Sequence, residues 1–246
     1  MGEEGLPFEL DVMASAIRYQ QWVFEAVKPH LGSSILEVGA GIGTMTRWLA
    51  THAPTTAIDI DTGLLRHLEA QAGGWEQPPE RVATLDISQS SQIPEWLSTT
   101  DTIASFNVLE HIADDVGALR GMADVLERSS APGRKRILIF VPAHQWAFGT
   151  VDTTFGHCRR YSKRSLTSLI RACNLKPRSV RIRYFNTVGL PGWILVGRVL
   201  RRPTFPRGSV QTMERIIPAV RRLDARLHGR YDLPLGQSVL AVIELG

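Results

Sequence analysis

Short apolar runs alternate along the chain with longer stretches in which apolar residues recur every three or four positions. That alternation is the pattern of a parallel sheet covered by helices. Residues 11–31 predict an amphipathic helix, with Ile17, Val23, Phe24 and Val27 near helical spacing and Pro29 near its end. Ser34–Val38 predicts a short buried strand, and a turn through Gly39, Gly41 and Gly43 leads into a helix carrying Trp48 and Leu49. Further strands are predicted over Thr55–Ile60, Val82–Leu85 and Asp101–Phe106, with a helix over Leu64–Gln71 between the first two. A helix bearing Val116, Leu119, Met122, Val125 and Leu126 follows, then a Pro132-Gly133 turn and the most apolar strand, Arg136–Val141.

Beyond residue 141 the pattern changes. Pro142–Tyr161 is rich in aromatic, polar and His residues and has no clean period. Ser162 is placed to cap a helix running to about Cys173, and Val180–Phe185 and Ser238–Glu244 predict two last strands. The stretch between them, 186–235, is too long for a bare loop and contains an amphipathic candidate at Met213–Leu227. The expected fold is therefore α/β and Rossmann-like, with a mostly parallel seven-stranded sheet, helices on both faces and a terminal β-hairpin carrying a helical insertion. We read 1–246 as one domain: a cap helix in 1–33, a ligand-binding core in 34–141, a substrate loop and helix in 142–176, and an insertion or lid in 186–235.

Composition narrows the class. At 246 residues, 43% hydrophobic and 21% charged, the chain can bury a full core without metals or disulfides. The apolar stretch Val188–Gly197 contains Pro191 and is too short to span a bilayer, and the acidic start MGEEGLPFELD lacks the apolar segment of a secretory signal. Two cysteines, Cys158 and Cys173, stand at no metal-ligand spacing, so a reduced, cytoplasmic setting is expected. The net charge of +4 hides an asymmetry: residues 1–157 hold 10 basic and 20 acidic side chains, residues 158–246 hold 18 and 4. The basic part would meet an anionic partner or pack against the acidic part.

The sharpest chemical signal is Leu36-Glu37-Val38-Gly39-Ala40-Gly41-Ile42-Gly43, a strand that ends at an acid and runs into alternate glycines. A dinucleotide fingerprint would want its third glycine at Thr44, whereas here it stands at Gly43. A carboxylate at Glu37 would repel a pyrophosphate and attract S-adenosylmethionine, which carries an ammonium and a sulfonium. Asp59 ends the second strand where a carboxylate can accept both ribose hydroxyls, with Asp61 read as the cap of the next helix. Asp86 ends the third strand, where it could accept from an adenine amino group beside the backbone N–H and apolar surface of Ile87. Taken alone, an acid at such a position is as often a turn cap.

LEVGAGIG, AIDID, TLDIS and SFNVLEHI, in that order and spacing, resemble the motifs of class I S-adenosylmethionine-dependent methyltransferases, in the bacterial small-molecule branch with a VLEH signature. The resemblance covers the first 141 residues and extends through VPAHQWAFGTVDTTFGHCRRYS and RYFNTVGLPGW. It implies that Glu37, Gly39, Ala40, Gly41 and Gly43 frame the methionine end of the cofactor. Asp59 and Ile60 would then hold the ribose, Asp86 and Ile87 the adenine, and Asn107 and Val108 would flank the methionine. Arg18 and Tyr19 fall where such enzymes close over the cofactor, with packing of Tyr19 under the sheet as the alternative.

For the acceptor, His111 is a candidate general base beside the methyl position, the alternative being that its ring orders the turn. Glu110 is read as structural. The loop after the fifth strand offers His144, Trp146, Phe148, Asp152, Phe155, His157, Arg159, Arg160 and Tyr161, a set suited to a small-molecule pocket. His157 is the second candidate base, with Asp152 orienting it. The spacing of His144, Asp152 and His157 matches no recognised ligand pattern, so no metal ligand is assigned. The expectation is methyl transfer to O, N or C of a small metabolite in specialised-metabolite, sugar or lipid-like biosynthesis. A homodimer and peripheral membrane contact through the insertion are compatible with the sequence. The alternatives are nucleic-acid modification or binding through the basic part, against which no aromatic-basic interleaving is visible, and a non-methylation reaction such as a cyclisation.

Overall fold

The computed structural model describes residues 8–89, 93–205, 208–231 and 233–246; most of the acidic start, and a few positions of the insertion, lie outside them. Seven strands form one sheet: β1 (Ile35–Val38), β2 (Thr55–Asp59), β3 (Arg81–Thr84), β4 (Thr102–Phe106), β5 (Lys135–Pro142), β6 (Ser179–Phe185) and β7 (Ser238–Leu245). Their order is β3-β2-β1-β4-β5-β7-β6, with the first five parallel and β7 antiparallel to both β5 and β6. The predicted strands, the terminal hairpin and its insertion are all present, with ends shifted by a residue or so. Strand order reverses between β1 and β4, which opens a crevice at their carboxyl ends.

Alternation along β5 shows why these residues make a central strand. Ile137, Ile139 and Val141 join the core on one face, with α5 (Asp115–Arg128) and α7 (Lys163–Ala172). Leu138 and Phe140 join the core on the other, with α2 (Ile17–Val27) and α9 (Ser209–Tyr231). Both faces of the strand are covered, which matches its continuous apolar run.

The helix predicted over 11–31 is broken. It forms α1 (Phe8–Ser15) and α2, parted at Ala16. Two interactions hold the break, one local and one distant in sequence. The Gln20 amide donates to the carbonyls of Met13 and Ala14, and the Glu214 carboxylate of α9 accepts the backbone N–H groups of Arg18 at 2.8 Å and Tyr19 at 3.1 Å. Glu214 thus satisfies the first free donors of α2 from another part of the chain.

On the opposite face, α5 lies flush against the turn after β3, because Gly121 has no side chain. A Cβ there would sit 1.7 Å from the Ile87 carbonyl oxygen. Gly121→Ala is therefore expected to destabilise the fold by about 1–3 kcal/mol. Urea denaturation measures it, and an unchanged midpoint contradicts this packing.

Candidate active site

The turn after β1 is shaped by a close approach. Gly39 has φ +74°, and a Cβ on it would lie 2.3 Å from Val108 Cγ2, so the turn after β4 presses directly on the turn after β1. Asn107, at φ +54°, starts that second turn and donates its backbone N–H to Phe140 O at 2.7 Å. Gly41 is buried but not crowded: among the described residues a Cβ on it would meet Leu10 of α1 at 3.9 Å, an ordinary contact. Ala40 and Gly43 pack inward, against α4 (Thr62–Ala72).

The acids separate by role. Asp59 accepts the Gly41 N–H at 2.8 Å and the Asp61 N–H at 3.0 Å, which fixes its carboxylate beside the glycine turn and leaves lone pairs for a ligand. Next to it Ile60 is 72% exposed, an apolar surface at the rim. Asp61 caps α4 through the N–H groups of Gly63 and Leu64, as expected of it. Asp86 closes its own turn, accepting from Ser88 N, Ser88 Oγ and Gln89 Nε2; the Ser88 hydroxyl leads in holding its carboxyl below the usual range. Ile87 corrects the sequence reading of an apolar surface for the ring, since its side chain is turned into the core.

Glu37 also departs from expectation. It is buried, and its carboxyl accepts from the Thr46 hydroxyl at 2.5 Å, bracing the glycine turn from beneath instead of attracting a cationic ligand. Burial pushes its pKa up to about 8, against the Thr46 hydrogen bond. Arg18 is a further correction, and Tyr19 follows the alternative given for it, packed under the sheet. Arg18 binds the Glu214 carbonyl, and Tyr19 is buried against Trp22 and Phe185 with its phenol pushed up to about 12 by burial. Both belong to the seam between α2 and α9.

The acceptor-side residues meet where the loops after β4 and β5 are stitched together. Cys158 N–H donates to Glu110 O, Tyr161 Oη to Leu109 O and Asp115, and Arg159 to Ala113 O and Asp115. These bonds bring His157 against His111, ring centroids 4.9 Å apart and nearly perpendicular. His157 Nδ1 lies 2.8 Å from Asp152 Oδ1, the predicted pairing. Asp152 also accepts from Arg160 Nε at 2.6 Å, Gly149 N at 2.9 Å and Trp193 Nε1 at 3.3 Å. Burial pushes its carboxyl up, but these donors and the Arg160 charge prevail and hold it low. Burial and the neighbouring His157 push the His111 imidazole down to about 4, so it is neutral near pH 7.

Glu110 is the residue the sequence reading undervalued. It is fully buried, neither carboxyl oxygen has a hydrogen-bond partner among the described residues, and burial pushes its pKa up to about 8. The available signal was an acid set between apolar positions, in Val108-Leu109-Glu110-His111-Ile112. His144 stands apart, stacked on Tyr184.

A doubly wound sheet with a glycine turn at its switch point, and strand-end acids around it, is a class I methyltransferase fold. The YcgJ protein of Bacillus subtilis shares this fold, with a TM-score of 0.55 at 13% identity over 90% of this chain and 97% of its own. A SAM-dependent methyltransferase of Archaeoglobus fulgidus gives 0.52 at 13% identity, covering 92% of this chain and 94% of its own. The plantazolicin methyltransferase BamL, solved with SAH and a triazolic desmethylPZN analogue, gives 0.54 at 11% identity, covering 96% and 86%. No curated protein sequence matches the chain. Residues 36–129 match the family model of a methyltransferase domain, and the fold around them is the one shared by class I S-adenosylmethionine-dependent methyltransferases. The residues present fit that cofactor, because the turn is uncrowded at Gly41 and the Asp59 carboxylate beside it keeps acceptor capacity.

Two predictions follow from this geometry. Asp59→Ala should weaken S-adenosylhomocysteine binding by about 1–3 kcal/mol in calorimetric titration, and an unchanged affinity would remove Asp59 from the ribose position. Glu37 holds a proton in the folded chain that the unfolded chain releases above its ordinary value of 4.5. Its contribution to stability is therefore full below pH 4.5 and is lost as pH rises to about 8. Denaturant midpoints at pH 5 and pH 8.5 should differ less in Glu37→Gln than in the parent chain.

Proposed function

We propose that this chain methylates O, N or C of a small, partly apolar metabolite in a specialised-metabolite, sugar or lipid-like biosynthesis, in a reducing cytoplasm. The observation that carries the reading is the convergence of Glu110, His111 and His157 on turns that adjoin the glycine turn through Val108. When bound, S-adenosylmethionine supplies an electrophilic methyl group on a sulfonium. Gly39, Ala40, Gly41 and Gly43 shape its seat, Asp59 and Ile60 position the ribose, and Asn107 and Val108 line the methionine end. Asp86 and the Ile87 backbone are left for the adenine.

The acceptor is met by His111, whose neutral imidazole can take a proton, while His157 stands behind it in the orientation that Asp152 fixes. Water is excluded by the insertion. Its helix α8 (Gly189–Ile194) packs Trp193 on Val151 and Phe155, and Thr150 Oγ1 donates to Gly197 O at 3.0 Å. Exposed Leu195, Val199 and Leu200 with Arg198, Arg201 and Arg202 make this segment the surface for a second copy or an anionic membrane. Among the described residues no helix is long and apolar enough to cross a membrane.

Nucleic-acid modification is less well supported, because several basic side chains of the C-terminal part are spent on internal ion pairs. Arg159 pairs with Asp115, Arg160 with Asp152 and Arg221 with Glu25.

The reading is tested with methyl-labelled S-adenosylmethionine and separate pools of small metabolites and RNA. Label is expected in the small-molecule pool, on a product one methyl group heavier, with S-adenosylhomocysteine formed in equal amount. Label in RNA alone overturns it. His111→Ala and His157→Ala should each lower turnover about 10²–10⁴-fold with S-adenosylhomocysteine affinity unchanged. Unaltered turnover in both removes them from the reaction.

A further inference from the structure

The group Glu110, His111 and His157 has a feature that proton transfer leaves unexplained. Three potential ligand atoms, one carboxylate oxygen and two imidazole nitrogens, lie within 4.8 Å of one another, with no competing bond to either Glu110 oxygen among the described residues. A buried carboxyl without a partner is costly to keep, by a few kcal/mol for even a neutral polar group. The Arg160 charge pulls the Glu110 carboxyl down but makes no hydrogen bond to it: Nε is committed to Asp152, Nη1 to Ala143 O at 3.0 Å, and the buried Nη2 has no partner among the described residues.

The second observation is the orientation of His157. Its Nδ1 is bound to Asp152, a carboxylate anchored by Arg160, Gly149 and Trp193, and this leaves Nε2 directed at Glu110, 4.0 Å from Oε1. An imidazole that gives one nitrogen to a carboxylate and aims the other at a second acid is the arrangement found around bound metals, where the outer carboxylate fixes ring and tautomer. The anchoring is complete, for Asp152 and the Arg160 side chain are fully buried. His111 is exposed and closes the open side.

We propose that Glu110, His111 and His157 form a binding site for a divalent transition-metal ion. One carboxylate and two imidazoles suit zinc, manganese or iron(II) better than magnesium or calcium, which prefer an all-oxygen shell. Bonding at about 2.0–2.2 Å requires the three side chains to draw together, with His111 giving up its hydrogen bond to the Gly156 backbone to do so. Three protein ligands leave positions open on the ion. An oxygen of the methyl acceptor could complete the shell. This last consequence rests on the methyltransferase reading above; the ion site itself does not. With an ion bound, His111 acts as a ligand and no longer as a base.

The full chain, stripped with a chelator and dialysed, is titrated calorimetrically with ZnCl₂ and with MnCl₂, with MgCl₂ for comparison. One saturable equivalent of zinc or manganese is expected, weakened at least tenfold in His111→Ala and His157→Ala and in the near-isosteric Glu110→Gln. His52→Ala, which removes an exposed histidine elsewhere, should leave it unchanged. Near-UV circular dichroism of each variant separates loss of the ligand from loss of the fold. Absence of saturable binding, or binding that survives all three substitutions in folded protein, overturns the proposal. Binding without methyl transfer to any pool leaves the metal site standing and counts against the methyltransferase reading; transfer at full rate in chelated protein removes the ion from the acceptor step and leaves the site to the titration.

Discussion

Asp152 is where the acceptor half of the molecule is tied together. Four donors converge on one buried carboxylate: a guanidinium, an imidazole, a backbone N–H and an indole. They come from three separate stretches of chain, the start of α6 (Thr150–Thr154), the segment His157–Arg160, and the insertion at Trp193. A carboxylate held this fully is costly to desolvate but more costly to orphan, so the arrangement persists only while every donor is present. Arg160 in turn lies under the Trp193 ring, 4.5 Å from its centroid, so the insertion and the loop share one electrostatic anchor. The position of His157, and everything proposed for it, is inherited from this anchor.

The cofactor half depends on space more than on charge. Val108 occupies the volume that a side chain on Gly39 would need, and Ile87 O occupies what a side chain on Gly121 would need. Through the first contact the turns after β1 and β4 move as one, so the seat of the cofactor and the motif that carries Glu110 and His111 share a common wall. Asp59 then locks the glycine turn from the other side through the Gly41 N–H.

How much of this was legible in the sequence follows from the range of each interaction. Asp59 and Asp61 could be told apart because a helix cap acts on residues two and three positions ahead, a local rule. The same holds for Ser162, which accepts from Ser165 N–H. Asp152 and His157 are five residues apart and were paired correctly. Arg18 was misplaced, and the choice between the two readings of Tyr19 stayed open, because their partner, Glu214, is nearly two hundred residues away. The break at Ala16 was invisible for the same reason. Glu37 was read as a free charge, whereas burial decides its state, and burial is not written at any one position. Glu110 was passed over because its distinguishing property is the absence of a partner, which only a three-dimensional arrangement can display.

The order of the sheet carries a consequence for how the chain assembles. β7 lies between β5 and β6, yet it is last in sequence, and the long excursion through α8 and α9 separates it from β6. Until it arrives, β5 and β6 both present unpaired edges, and Phe140 and Phe185 lack Leu240 and Val242, which share their core. Such edges invite pairing with other chains. Closure by a strand of high sequence separation is a slow, late event of high contact order. Strands β1 to β4 are free of that dependence, so the cofactor seat can form while the acceptor side waits for β7 to join β5 and β6.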